Sequence, residues 1–248
     1  MKYLFAPREV SVLPQLAWTR LLVALDFDGT LAPIVEDRHR AAMRPRTARL
    51  LAQVAARYRT IVVSGRGQRD VAARVRGIPL RHVIGNHGVE PGTDADLSAF
   101  ESAVGQACVL LEQHLADWAG LDLEDKRYSL ALHFRRARHK PAARAAIIAA
   151  IAALPMPMRV VLGKLVVNAV PAGAPHKGDA VVRARDTEST DTALYVGDDI
   201  TDEDVFELDQ PGRLVCVRVG ASSTSAASYY LRDQGEIDRL LAALVAAR

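Results

Sequence analysis

Four short stretches of this sequence carry side chains suited to acid–base, cation-binding or phosphate-binding chemistry. In Asp26-Phe27-Asp28-Gly29-Thr30 two carboxylates stand two residues apart, and Gly29-Thr30 lets the chain turn sharply behind them. If the backbone stays extended there, both point the same way, about 6.6 Å apart along the strand. Acids that close repel unless a cation or a proton lies between them. Gly197-Asp198-Asp199-Ile200-Thr201-Asp202-Glu203-Asp204 is denser still, with five acids in the seven residues from Asp198. No Cys or His accompanies them, so a hard cation such as Mg²⁺ fits better than a soft metal. The glycine and spacing of an EF-hand loop are missing. Ser64-Gly65-Arg66-Gly67 offers a hydroxyl and backbone N–H groups that could take a phosphate at a helix start. Lys177, ahead of Gly178-Asp179, offers one cation. Each stretch also has a plainer reading: an Asp-rich helix cap, acids favouring a helix dipole at Glu203 and Asp204, a Ser N-cap, a solvated lysine.

The elements that must position these groups are readable as well. Residues 21–25 form a continuous apolar run that ends at Asp26, and residues 60–63 form another that ends at Ser64. Further strands are expected at 82–84, at 193–196 ahead of Gly197-Asp198, and at 213–217. Continuous apolar runs suit strands covered on both faces. Helices are expected at 47–58, 68–75, 178–185, around 202–208 and at the C-terminus. This alternation predicts an open α/β fold with a parallel sheet, whose ligands bind at the carboxyl ends of the strands.

The middle of the chain has a different rhythm. Residues 95–116 place Phe100, Val104, Ala107, Cys108, Leu111 and Leu115 on one helical face. Residues 121–126 and 129–135 alternate, as half-exposed antiparallel strands do. A helix at 141–154 follows. Strands at 158–162 and 165–170 are joined by Gly163-Lys164, read as a two-residue type II′ hairpin turn with Gly first. The order α-β-β-α-β-β predicts a second, α+β domain at 90–171, inserted into a core made of 1–89 and 172–248. Its strand 129–135 puts Leu130, Leu132 and Phe134 on one face, and Ser129, His133 and Arg135 on the other. Glu124 and Lys126 share the polar face of the strand before it. Paired, the two would make a polar patch suited to sugar hydroxyls, although Arg127-Tyr128 lacks a turn glycine and leaves the register open.

Composition narrows the function classes. The chain has 248 residues, half of them hydrophobic and a quarter charged, which excludes disorder. A net charge of +3 without a run of like charges argues against a dedicated nucleic-acid binder. Two cysteines, Cys108 and Cys216, make no disulfide framework. The longest apolar run, 145–154, is half the length of about 20 residues that a membrane span needs. The first twenty residues lack the apolar core of a signal peptide, so a soluble cytoplasmic protein without membrane attachment is expected.

In combination, DxDGT after a first strand, Ser after a later strand, Lys before a helix and GDDxxxD resemble the haloacid dehalogenase superfamily of phosphatases. The resemblance covers about 20–88 and 172–248. It implies a Rossmann-like core in which Asp26 is the nucleophile that takes the phosphoryl group. Asp28 would protonate the leaving alcohol and then activate water, while Ser64 and Lys177 hold the phosphate. Mg²⁺ would sit on Asp26, the Asp28 carbonyl and Asp198, with Asp199 and Asp202 behind them. Phosphoryl transfer asks mainly for positioning and charge neutralisation, which such a site supplies.

The inserted domain resembles the small cap of trehalose-6-phosphate phosphatases. Gly85-Asn86-His87-Gly88-Val89-Glu90 is similar to that family's GNHGxE, and Glu124 to Arg135 to its E-x-K-x-x-S-x-x-x-H-x-R. The resemblance implies that Gly65, Arg66, Asn86, His87, Glu124, Lys126, His133 and Asn168 bind phosphate or sugar. A turn on Asn86 and Gly88, or a solvated sheet face, is the plainer reading of several of these. Gly163-Lys164-Leu165-Val166-Val167-Asn168 departs from the family's G-K-x-V-x-E, because Asn168 replaces a glutamate; Asn still donates and accepts hydrogen bonds, without charge. The loop from Pro171 to Lys177 is one residue longer than the family's. The expected activity is Mg²⁺-dependent release of phosphate from trehalose 6-phosphate, a small-molecule sugar phosphate that a trehalose-6-phosphate synthase would supply. A phosphatase or phosphomutase for another sugar phosphate, and a non-catalytic sugar-phosphate sensor, are the alternatives. Hinges are expected near 88–92 and 171–173.

Overall fold

The computed structural model describes residues 1–9, 11–91, 97–208 and 210–248. The chain divides into two units, Met1–Pro91 with His176–Arg248, and Gly92–Pro175. In chain order, the first unit supplies β1 (Lys2–Tyr3), α1 (Val12–Ala17), β2 (Leu21–Leu25), α2 (Pro45–Arg57), β3 (Arg59–Val63), α3 (Gln68–Arg74) and β4 (His82–Ile84). The second unit is α4 (Leu97–His114), β5 (Asp122–Asp125), β6 (Leu130–His133), α5 (Lys140–Ala152), β7 (Met158–Gly163) and β8 (Val166–Pro171). The first unit then resumes with α6 (Lys177–Thr187), β9 (Thr192–Gly197), α7 (Glu203–Phe206), β10 (Leu214–Val219), β11 (Tyr229–Leu231) and α8 (Ile237–Ala246). Among the described residues no helix is long and apolar enough to cross a membrane.

The first unit is a seven-stranded sheet in the order β1-β11-β10-β9-β2-β3-β4, parallel throughout. Side chains alternate across a strand, so β2 sends Leu21, Val23 and Leu25 to one face and Leu22 and Ala24 to the other. The first face is covered by α1, α2, α3 and α8, the second by α6 and α7. Burial on both faces is why β2 is apolar without alternation. The helix expected at 202–208 is shorter than its sequence suggests: a 3₁₀ turn at Ile200–Asp202 precedes the single turn of α7. β1, β11 and α1 were not among the expected elements.

The second unit has the expected α-β-β-α-β-β order. Its antiparallel sheet runs β5-β6-β8-β7. Leu130, Leu132, Val167 and Ala169 pack on Val104, Ala107 and Leu111 of α4 and Ala143, Ile147 and Ile151 of α5. Of the helix expected at 95–116, residues 95 and 96 lie outside the described residues. The hairpin turn is not at Gly163-Lys164. Gly163 pairs with Val166 as the last residue of β7, so Lys164 and Leu165 make the turn, and Leu165 takes the left-handed conformation at φ 61°. The β5–β6 turn forms without glycine: Arg127 adopts φ 75°, its N–H bound by Asp125 Oδ1 at 2.6 Å, and Lys126 N–H reaches Ser129 O at 2.9 Å.

The units divide two and four residues beyond the expected boundaries, for local reasons. Gly85 and Glu90 exchange backbone hydrogen bonds of 2.7 and 3.2 Å, which keeps residue 90 with the first unit. After β8, Ala172 N–H returns to Pro157 O at 3.0 Å, which keeps that turn with the second.

Candidate active site

From β2 the chain steps outward to β3 and β4, and after the second unit α6 returns it to β9 on the other side of β2. β2 is therefore the point at which the winding reverses, where open α/β sheets bind ligands. The adjacent carboxyl ends of β9, β2 and β3 carry Asp198, Asp26 with Asp28, and Ser64.

Asp26 follows β2 directly and is buried, its N–H bound to Val196 O of β9 at 2.9 Å. Lys177 is the first residue of α6 and only 2% exposed. Its Nζ donates to Asp26 Oδ1 at 2.8 Å and to Asp202 Oδ1 at 2.7 Å. The helix start is fixed by His176, whose Nδ1 accepts the N–H groups of Gly178 and Asp179, while Asp179 accepts the His176 N–H. Asp202 Oδ2 accepts the N–H groups of Asp198 and Asp199 at 2.8 and 2.9 Å, and so folds the acidic turn.

Among the described residues, Asp26, Asp198 and Asp202 form a group whose carboxylate oxygens lie within 4.8 Å of one another. Asp198 Oδ1 is buried and accepts no hydrogen bond. Gly29 sits against this carboxylate at φ 82°, where a Cβ would overlap it. Burial pushes the Asp26 carboxyl well above the ordinary range; Lys177 pulls it down, and Asp202 and Asp198 push it up. Burial, then Asp202 and Asp199, push Asp198 up to about 7. Lys177 stays charged: burial opposes its charge, but Asp202 and Asp26 hold its pKa above the ordinary lysine value. Three carboxylates thus face one ammonium in a dry pocket with a spare oxygen, a donor set that fits a hard divalent cation.

Ser64 is buried at the end of β3, where its Oγ accepts the Arg66 N–H at 3.2 Å and keeps its own hydrogen to donate. Arg66 turns to Asp28, which it holds through two nitrogens at 2.6 and 2.7 Å. Gly65 packs against the His87 ring. Asn86 and His87 lie beneath this loop with left-handed backbones. Asn86 N–H reaches Arg66 O at 2.7 Å, and His87 N–H reaches Ser64 O at 3.0 Å. Glu90 Oε2 accepts Asn86 Nδ2 and the Gln68 N–H, tying the loop to α3.

In the second unit, β6 sets Ala131 opposite both Glu124 and Asn168, so the two polar residues share the face turned away from the helices. Lys126 Nζ lies 3.4 Å from Asn168 Oδ1, and His133 Nε2 lies 3.2 Å from Glu124 Oε2. Asn168 is buried, its Nδ2 donating to Val161 O at 3.3 Å. Within each unit the structure therefore gathers the residues singled out from sequence. Sequence reading missed Tyr195 and Asp70, and gave no role to Glu90 although it ends the GNHGxE stretch. Tyr195 had a signal, a hydroxyl in the middle of an apolar strand run.

A family model described as trehalose-phosphatase matches residues 24–234. The chain belongs to that family. It is 34% identical over 201 residues to a trehalose-phosphate phosphatase of Mycobacterium tuberculosis, covering 76% of this chain and 51% of that one. It is 32% identical over 263 residues to a probable trehalose-phosphate phosphatase of Oryza sativa subsp. japonica, covering 91% of this chain and 70% of that one. The chain spans about half the length of the mycobacterial relatives it matches. Its fold is shared with the C-terminal domain of a C. albicans trehalose-6-phosphate phosphatase, at a TM-score of 0.81 and 21% identity over 96% of this chain and 98% of that one.

Proposed function

We propose that the protein hydrolyses trehalose 6-phosphate to trehalose and inorganic phosphate through a phosphoryl-Asp26 intermediate. The observation that carries this reading is the placement of Asp26 at the winding reversal, its Oδ1 fixed by Lys177 and its neighbour Asp198 holding a spare oxygen. With Oδ1 occupied, Oδ2 attacks phosphorus as the bond from phosphorus to the sugar oxygen breaks. Asp28 gives its proton to that departing oxygen, then takes one from the water that cleaves the phosphoryl-aspartate. The Ser64 hydroxyl and Lys177 ammonium hold phosphoryl oxygens, and Gly65, whose missing Cβ makes room for the His87 ring, keeps the phosphate loop packed on its support. Mg²⁺ held by Asp26, the Asp28 carbonyl and Asp198 would neutralise phosphoryl charge, while Asp202 and Asp199 shape the turn. Asn86 and His87 act through the Ser64–Gly67 loop that they support. Glu124, Lys126, His133 and Asn168 hydrogen-bond the sugar. A trehalose-6-phosphate synthase supplies the substrate, and the cytoplasm is the proposed location.

Phosphate release from trehalose 6-phosphate with and without Mg²⁺, in the wild type and in Asp26→Asn, tests this reading. The wild type is expected to turn over only with the cation, and the variant to lose at least about 10³-fold in rate with an unchanged circular dichroism spectrum. Activity retained in Asp26→Asn would overturn the nucleophile assignment.

A further inference from the structure

Arg66 stands in a phosphate-binding motif, but its guanidinium is already committed within the protein. Nε donates to Asp28 Oδ2 at 2.6 Å, and Nη2 donates to Asp28 Oδ1 at 2.7 Å and to Arg38 O at 2.9 Å. Nη1 donates to Asp70 Oδ2 at 2.8 Å. The side chain is 11% exposed and lies 5.8 Å from the centroid of the Phe27 ring. Four of the five N–H donors of a guanidinium are therefore used. Asp70 is itself held from its other oxygen by Arg74 Nε at 3.1 Å, so the far end of the clamp is fixed as well. Asp28, by contrast, keeps 39% of its side chain exposed. A two-pronged Arg–carboxylate contact fixes the plane and rotation of the carboxylate, which a single hydrogen bond does not.

We propose that Arg66 is a positioning residue for the acid–base step, aiming the Asp28 carboxyl at the departing sugar oxygen, and is not a ligand of the phosphate. This rests on the reading of Asp28 as the acid and base. In the step concerned the bond from phosphorus to the sugar oxygen breaks, and the Asp28 proton passes to that oxygen. A sugar alkoxide cannot leave without that proton, whereas a nitrophenolate leaves with little help. A misaimed Asp28 therefore harms the two leaving groups unequally in the first step, which kcat/KM reads, and alike in the hydrolysis of phosphoryl-Asp26 that both share. A lost phosphate ligand harms the first step of both alike.

The test compares wild type, Arg66→Ala, Arg66→Lys and Asp70→Asn, with Mg²⁺, on trehalose 6-phosphate and 4-nitrophenyl phosphate, with inorganic phosphate as inhibitor. Both Arg66 variants are expected to lose about 100-fold in kcat/KM on the sugar phosphate and less than about fivefold on the aryl phosphate. The phosphate inhibition constant should stay within about threefold. Lysine keeps the charge but not the fork, so Arg66→Lys is expected to fail as Arg66→Ala does. Asp70→Asn leaves Arg66 in place and tests the same chain of contacts if the Arg66 variants misfold; a smaller loss, again confined to the sugar phosphate, is expected. Equal losses of kcat/KM on both substrates, or phosphate inhibition weakened tenfold, would return Arg66 to the phosphate and overturn the proposal. Unchanged kcat/KM in every variant would overturn it too. A wild type inactive on both substrates overturns the phosphatase reading and this proposal with it.

Discussion

Tyr195 donates its phenolic hydrogen to Asp202 Oδ1 at 2.6 Å, and both side chains are fully buried. The same carboxylate takes Lys177 Nζ and the N–H groups of Asp198 and Asp199. The tyrosine on β9 thus aims the group that in turn aims the lysine and folds the acidic turn. Burial, then the charges of Asp202 and Asp26, hold the phenol well above its ordinary pKa, so it remains a donor. Tyr195→Phe leaves one carboxylate lone pair unfilled and is expected to lower stability by about 2 kcal/mol, the worth of a hydrogen bond to a charged group. Urea unfolding measures this, and a midpoint equal to that of the wild type would count against it.

Asp202→Asn is expected to be worse. The amide keeps one oxygen but puts hydrogens where two of the four donors already point, and it leaves Lys177 with Asp26 as its one charged partner in the pocket. Breaking a buried ion pair from one side costs about 3–5 kcal/mol. Urea unfolding of the variant checks this, and a loss under 1 kcal/mol, roughly the worth of an exposed pair, would contradict it.

Much of this arrangement was legible in the sequence, for a physical reason. A strand buried on both faces of a parallel sheet is apolar throughout and then stops at the ligand-facing rim. Thus Asp26, Ser64 and Asp198 announced themselves by ending such runs. β1 escaped because a strand of two residues carries no period, and β11 because it follows the small and polar residues 221–228 with no helix before it to continue the alternation. The β7–β8 turn was misplaced because Gly163 looked like a turn residue, whereas pairing with Val166 makes it the end of the strand. The contact of Arg66 with Asp28 spans 38 residues of sequence, and only the pairing of β2 with β3 brings the two together. No local pattern could have reported it.

The acidic cluster makes a prediction about pH. Asp198 is pushed up to about 7, and Asp26 and Asp199 are raised as well, each chiefly by burial. Between the ordinary aspartate value, about 3.9, and these raised values, the folded protein keeps protons that the unfolded chain has lost. Stability in the absence of a divalent cation therefore falls as pH rises through that window. Melting temperature without added cation is expected to be higher at about pH 5.5 than at about pH 7.5, and Mg²⁺ should raise it more at the higher pH. Asp198→Asn should flatten the slope. A slope unchanged in that variant would show that Asp198 does not carry it.

On the second unit, Lys126→Ala removes an ammonium 3.4 Å from Asn168 on the polar sheet face. KM for trehalose 6-phosphate is expected to rise about tenfold, roughly 1.4 kcal/mol of lost sugar binding, with a smaller effect on an aryl phosphate. Steady-state kinetics on the two substrates decide it, and equal effects on both would remove Lys126 from sugar recognition.

The most direct measurement is Mg²⁺-dependent phosphate release from trehalose 6-phosphate, glucose 6-phosphate, mannose 6-phosphate, sucrose 6-phosphate and an aryl phosphate, each read as kcat/KM. Trehalose 6-phosphate is expected to be preferred over every other member by at least about tenfold, with Asn168 as the native residue. Equal turnover of the whole panel, or preference for another sugar phosphate, would contradict the assignment of substrate while leaving the Asp26 chemistry standing. No release from any member would contradict both.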